Sequence, residues 1–362
     1  MDRLPLAIAL SLLCALPAAA RAQDPEFPTP EEYSERAAAA EAAPLFQSHE
    51  PLKITLTTDI EWLRDERNDS IEVEGTLLFI DLDGSEATSP VEVRTRGNFR
   101  RDKRNCNFPP LRLDVPTGQM EGTVFEGQDK LKLVTPCHDG RGSYQNYVFD
   151  EYLAYRTFNI ITPYSFRVRP VEVTYIDIED DYDSRTKVGF LIEDEDAMAE
   201  RNRATIVDVT QFHPMRMDGE HAVTVALFTY LIGNLDWSPV SFHNSKLLRT
   251  EDGRYLTVPY DFDFAGIVNA RYSGPPPQLM ERVRRVTQRL FRGFCRPELV
   301  YETAVPVFQE TREPIRELFE SFGALGLEEY DDGDAEDTLD WFDDFYKVID
   351  DPEEFEDEIL DD

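Results

Sequence analysis

Three short stretches carry carboxylates and an amide in an order that suits phosphoryl transfer: Asn234-Leu235-Asp236-Trp237, His243-Asn244 and Asp261-Phe262-Asp263. That chemistry needs one carboxylate to take or orient the acceptor hydroxyl, here Asp236. It also needs an amide oxygen and a carboxylate to hold Mg²⁺ against the phosphates, here Asn244 and Asp261. A cation on the phosphates, fixed by a helix carboxylate, completes the set. Lys132, in the strand before a long helix, and Glu151, near the middle of that helix, occupy those places, with Lys130 on the same strand face as the competitor. Taken singly, the same residues have plainer uses. Asp236 suits a helix cap, Asp261 and Asp263 suit turn carboxylates, Glu151 a solvated helix face, and Lys132 a guard on a strand edge. A third chemistry, metal-dependent hydrolysis, would gather Asp236, Asp261 and Asp263 around two ions.

The elements that must position these residues follow from periodicity. Alternation predicts strands over 52–56, 72–82 and 90–96, the last two joined by the turn Asp83-Gly84-Ser85 and preceded by a helical turn over 61–67. Short strands at 111–115 and 130–134 flank a Gly-containing loop, 117–127, and a helix is expected over 144–159. Strands at 167–176 and 187–192 enclose an acidic turn, and a helix over 222–232 runs into Gly233-Asn234. Strands at 245–248 and 255–258 enclose Asp252-Gly253, and helices are expected over much of 278–325. This order is that of a protein-kinase-like core. The predicted fold class is α+β, a two-lobed protein-kinase-like fold with an antiparallel sheet N-lobe and a mostly helical C-lobe.

The runs Arg94-Thr95-Arg96-Gly97-Asn98, Gly189-Phe190-Leu191-Ile192-Glu193-Asp194, Asn234-Leu235-Asp236 and Pro259-Tyr260-Asp261-Phe262-Asp263 resemble the CotH-type (spore-coat protein H-like) atypical protein kinase family over about residues 90–270. Tyr260 stands where that family has Trp. The Asp236, Asn244, Asp261 pattern is also similar to HipA-like kinases. The resemblance implies Asp236 as the catalytic aspartate, Asn244 and Asp261 as metal ligands, Asp263 as a second metal ligand, and Glu193 beside the adenine-side hinge. It implies ATP and Mg²⁺ as cofactors, and a hydroxyl of a protein or surface polymer as acceptor. The alternative keeps the fold without the chemistry, as a binding or structural protein of the cell envelope or extracellular matrix.

Residues 1–22 have the pattern of a signal peptide: an apolar run over 4–16 and the cleavage pattern Ala20-Arg21-Ala22. A secreted or envelope location is therefore expected, with no membrane insertion after cleavage. Residues 23–50 are expected to be a linker, 51–325 the kinase-like domain and 326–362 an acidic tail, in which Leu339, Phe342, Tyr346 and Ile349 form one apolar stripe. With 72 acidic against 37 basic residues, a net charge of −35 argues against nucleic acid and anionic membrane surfaces as partners. It suits either a salt-rich environment, where charge is screened, or solubility alone. Cys106, Cys137 and Cys295 fit no zinc spacing. A Cys106–Cys137 disulfide with Cys295 free and an all-reduced set both remain open. The basic cluster Arg100-Arg101-Lys103-Arg104 reads either as a phosphate cradle beside Gly97 or as salt-bridged surface.

Overall fold

The computed structural model describes residues 27–138, 140, 142–293, 296–322 and 332–360. The signal-peptide segment and Cys295 lie outside the described residues. The chain first forms helix α1 (Pro30–Ala42), then β1 (Leu52–Thr58), α2 (Ile60–Glu66), β2 (Val73–Ile80), β3 (Glu86–Thr95), β4 (Leu111–Asp114), β5 (Lys130–Val134), α3 (Ser143–Ile161), β6 (Val168–Asp177) and β7 (Arg185–Ile192). It continues with α4 (Glu195–Arg201), β8 (Ala204–Ile206), α5 (Gly219–Leu231), β9 (Ser245–Thr250) and β10 (Tyr255–Pro259). The last described elements are α6 (Pro297–Leu299), a π turn (Val300–Ala304), α7 (Val305–Phe322), α8 (Asp332–Asp350), α9 (Pro352–Phe355) and a second π turn (Glu356–Leu360).

β1 to β7 close into a barrel in the order β1-β2-β3-β4-β5-β7-β6. This overturns the expectation of a two-lobed kinase-like fold built on an open antiparallel sheet. The physical reason is the seam: β6 pairs antiparallel with β7 on one edge and parallel with β1 on the other, with Ile54 opposite Val173, so no sheet edge is left free. Alternation along each strand sends one set of side chains inward. Leu52, Ile54 and Leu56 meet Leu77, Phe79, Val91, Val93, Leu111, Leu113, Leu131, Leu133, Val171 and Val173 in one apolar core. The loop between β4 and β5 folds back as a plug, its Phe125 edge-on to Phe79 at 4.9 Å.

A second core lies against the β5–β7 side. α3 is its axis: Phe158 stacks on Phe228 of α5 at 4.2 Å, and Tyr155 packs on Phe262 at 4.6 Å. The short antiparallel sheet β10-β9-β8 and helices α7 and α8 complete this body. Gly189 lets β7 press on β5, because a Cβ there would lie 2.4 Å from the Val134 carbonyl oxygen.

Two segments are more ordered than their composition suggests. Within 23–50, α1 starts on a capping box in which Thr29 and Glu32 exchange hydrogen bonds. It docks through buried Tyr33, whose hydroxyl lies 3.0 Å from the Thr205 hydroxyl. In the acidic tail, α8 docks through Phe342, Phe345, Tyr346 and Ile349, with Phe342 edge-on to Phe319 at 4.6 Å. The span 278–296 departs the other way. Among its described residues only a 3₁₀ turn (Pro277–Leu279) forms, and Arg289 and Arg292 tie the loop after it to main-chain carbonyls of Leu231, Leu235, Trp237 and Trp341.

Candidate functional site

The pairing register sets three cations side by side. Arg94 of β3 faces Arg112 of β4, and Arg112 faces Lys132 of β5. Each alternates with buried, inward-facing neighbours, so the row stands on the outer face of the barrel. Like charges directly opposite in an antiparallel pair destabilise it. Arg94 is partly neutralised by Glu72 at 3.4 Å and donates to the Asp69 carbonyl at 2.6 Å. Arg96, Arg112 and Lys132 make no ion pair among the described residues, and the Nε atoms of Arg96 and Arg112 are buried without a hydrogen-bond partner. Burial, with the nearby Arg96 charge second to it, pulls the Lys132 ammonium down to about 8. The Lys132 neighbours are rings, Tyr260 at 5.2 Å and Phe166 at 5.7 Å.

Facing this row across a cavity of about 520 Å³ are Asp236, His243, Asn244, Asp261 and Asp263. The chain after α5 turns at Gly233, which has φ of +65°, and Asn234 fixes the next turn by accepting from the Asp236 amide at 3.0 Å. Asp236 then holds two partners. His243 Nε2 lies 2.9 Å from its Oδ1, and Asn244 Nδ2 donates to its Oδ2 at 3.1 Å and to its carbonyl at 2.9 Å. Asn244 and Asp261 both sit at positive φ, +47° and +66°, backbone that side-chain-bearing residues adopt at a cost of about 1–3 kcal/mol. The Asp261 conformation is held from behind, where its amide donates to the Tyr155 hydroxyl at 2.8 Å.

The floor of the cleft is a buried charge cluster. Arg100 approaches Glu151 at 3.6 Å and Asp263 at 4.0 Å, and donates to the Thr135 carbonyl. Burial and then the Asp261 charge push the Asp263 acid up to about 7, against the opposing Arg100 charge and the Tyr272 hydroxyl, which donates to it at 3.3 Å. Glu151 is also raised, by burial first and Asp263 second, with Arg100 opposing both.

The structure brings Asp236, Asn244, Asp261, Asp263 and Lys132 together around one cavity. It separates the expected Lys132–Glu151 pair, because Arg100 occupies the place beside Glu151. Lys130 is exposed and lies near Asp129 at 3.9 Å. Glu193 is not in the cleft: its carboxylate accepts from Arg201 at 2.9 Å and from the Arg167 amide at 2.9 Å. Of the basic cluster, Arg101, Lys103 and Arg104 are salt-bridged surface, on Asp69, Asp65 and Asp102, and Arg100 alone turns inward. The hydrolase arrangement is not met either. Among the described residues, the group of three with ligand oxygens all within 4.8 Å is Glu72, Glu92 and Asp114, on the outside of the barrel.

The sequence reading gave His243 no role beside Asn244, and it passed over Arg112 and Tyr272 entirely. A second cavity, about 630 Å³, opens on the far side of Asp236 and His243. It is walled by Phe264, Pro275, Pro276 and Arg292, and by Trp237, whose buried Nε1 has no partner.

The loop carrying Arg96 and Arg100 is fastened at its end by the Cys106–Cys137 disulfide, and Arg67 braces it through the carbonyls of Arg101 and Asn107. A Cys106→Ser/Cys137→Ser double variant is expected to lose about 2–4 kcal/mol, read as a lower urea midpoint. An unchanged midpoint would show that the loop holds without the bridge. Comparison with family models, curated proteins and solved structures finds no match to this chain.

Proposed function

We propose that this cleft binds a Mg²⁺-nucleoside triphosphate, ATP in the first instance, and transfers its terminal phosphoryl group to a hydroxyl. The observation that carries the reading is the unpaired cation group. In a chain with almost twice as many acidic as basic residues, Arg96, Arg112 and Lys132 share one cleft without a carboxylate partner, opposite a set of acids. Phosphates suit the cations, and hard oxygen donors suit Mg²⁺.

The donor set fits the metal. Asp261 and Asp263 are close enough for the charge of one to raise the acid of the other, a repulsion that a divalent cation relieves. Asp261, Asn244 and Asp263 would hold Mg²⁺, which when bound neutralises charge on the phosphate oxygens. Arg96, Arg112 and Lys132 orient the phosphates. Asp236, held by His243 and Asn244, points its carboxylate between the two cavities and takes the proton of a hydroxyl entering from the second. The leader-like residues 1–22 and the disulfide support an exported protein with an acceptor on another protein or a surface polymer.

Lys132 gives this reading its test. Its ammonium is lost as pH rises through about 8 in the free chain, and a phosphate beside it holds the proton on. Binding of Mg²⁺-ATP at pH 8.5 is therefore expected to take up protons, seen as a calorimetric enthalpy that changes with the ionisation heat of the buffer. Affinity is expected to fall between about pH 7.5 and 9.5, and a Lys132→Met variant to lose both effects. ATP binding with no proton uptake, or with the same uptake in the variant, would remove Lys132 from the site.

A further inference from the structure

We propose that the donor side of this cleft reads a phosphate chain and not a base, so that inorganic tripolyphosphate is a phosphoryl donor alongside ATP. The inference rests on the phosphoryl-transfer reading above and names its donor class. The cations are arranged along a line. Arg112 and Lys132, and Arg94 with part of its charge spent on Glu72, sit on adjacent strands, whose spacing of about 4.8 Å extends the row over about 10 Å, and Arg96 adds a further unpaired charge from the loop after β3. A linear polyanion fills such a row more completely than a single phosphate.

The surroundings offer little to a purine. The residues lining the cavity include Phe99, Pro110, Tyr260 and Phe264 but no Leu, Ile, Val or Met, and charged and polar residues outnumber them, whereas base and cofactor slots are predominantly apolar. The Tyr260 ring, next along from Lys132, already has the ammonium groups of Lys132 and Lys246 within 5.2 and 5.9 Å. Lys246 is in turn held by Glu195 at 2.6 Å. Past the end of the cation row, Glu193 has both carboxylate oxygens committed to Arg201 and the Arg167 amide. It lines a separate cavity with Arg167 and Ala197, not this cleft.

The step balances without a further reactant. The bond from the terminal phosphorus to its bridging oxygen breaks, and a bond from that phosphorus to the acceptor hydroxyl oxygen forms. The hydroxyl proton passes to Asp236, and pyrophosphate leaves where ADP would leave from ATP. A surface as acidic as this one repels stray polyanions, so binding of tripolyphosphate requires a place where cations are gathered.

The test is calorimetry of the full chain with Mg²⁺ and, in turn, tripolyphosphate, ATP and adenosine. Tripolyphosphate is expected to bind within about threefold of ATP and adenosine not at all, with Arg112→Gln weakening both phosphate ligands by about tenfold. Binding of ATP more than about tenfold tighter than tripolyphosphate would overturn the inference, showing that a base is read, with exposed Phe99 as the ring to examine. That outcome leaves phosphoryl transfer from ATP standing. Binding of neither phosphate ligand would overturn both.

Discussion

Replacement of Arg100 by methionine is expected to destabilise the chain by about 3–5 kcal/mol near pH 8, the range for removing one partner from a buried ion pair. The Arg100 side chain is 9% exposed and approaches two buried acids, Glu151 at 3.6 Å and Asp263 at 4.0 Å. Without it both buried acids are left facing Asp261 with no compensating charge, and their acids rise further. The folded variant then binds more protons than the unfolded chain over a wider pH range, so its stability falls as pH rises. The loss, read from urea midpoints, is expected to be smaller at pH 5, where both acids take up protons. Adding Glu151→Gln and Asp263→Asn to Arg100→Met removes the uncompensated charge and is expected to recover most of the loss. A cost below about 1 kcal/mol at pH 8 for the single variant would show that water, not Arg100, solvates these acids.

An Asp236→Asn variant is expected to keep Mg²⁺-ATP affinity within a few-fold while slowing phosphoryl transfer by about 10²–10⁴-fold, the contribution of a positioned general base. Asparagine preserves the shape and still accepts from Asn244, but it takes no proton from the hydroxyl. Transfer to water, followed as phosphate release from ATP in single turnover, gives the rate without knowledge of the natural acceptor. A loss of affinity equal to the loss of rate would instead make Asp236 a ligand of the metal or phosphates. Its contacts with His243 and Asn244, at 2.9 and 3.1 Å, favour the proton role.

Much of the secondary structure could be read from the chain, because alternation and helical period record which side of each element is covered. The 130–134 strand, the α3 helix and the β9–β10 hairpin follow their apolar patterns closely. The barrel could not be read. Its closure depends on β1 lying parallel to β6, a pairing between distant strands that leaves the alternation of each unchanged. Lys132 was expected at the site, but register hid the row it belongs to: Arg94 and Arg112 become its neighbours only once β3, β4 and β5 are aligned. The acids were easier, since Asp236, Asn244, Asp261 and Asp263 lie in turns next to the ends of elements, where polar residues in an ordered fold need a reason. Arg100 was visible as part of a basic cluster, but nothing local distinguishes it from Arg101, which pairs with Asp69 at the surface. Helix α4 had a signal that was overlooked, Asp194 before Glu195 and Asp196, which caps it by accepting from the Asp196 amide.

In the proposed site the acids across the cleft hold a metal against phosphates gripped by the barrel. Calorimetric titration of the chain with ATP, with and without Mg²⁺ and beside an Asp261→Ala variant, tests it most directly. Asp261 is kept at φ of +66° by the Tyr155 hydroxyl, and alanine keeps the backbone amide that makes this bond. The prediction is binding that requires Mg²⁺ and weakens by about 10–100-fold in the variant, with an unchanged urea midpoint as proof of folding. Binding indifferent to Mg²⁺ and to Asp261, or no binding by the folded chain, would contradict it.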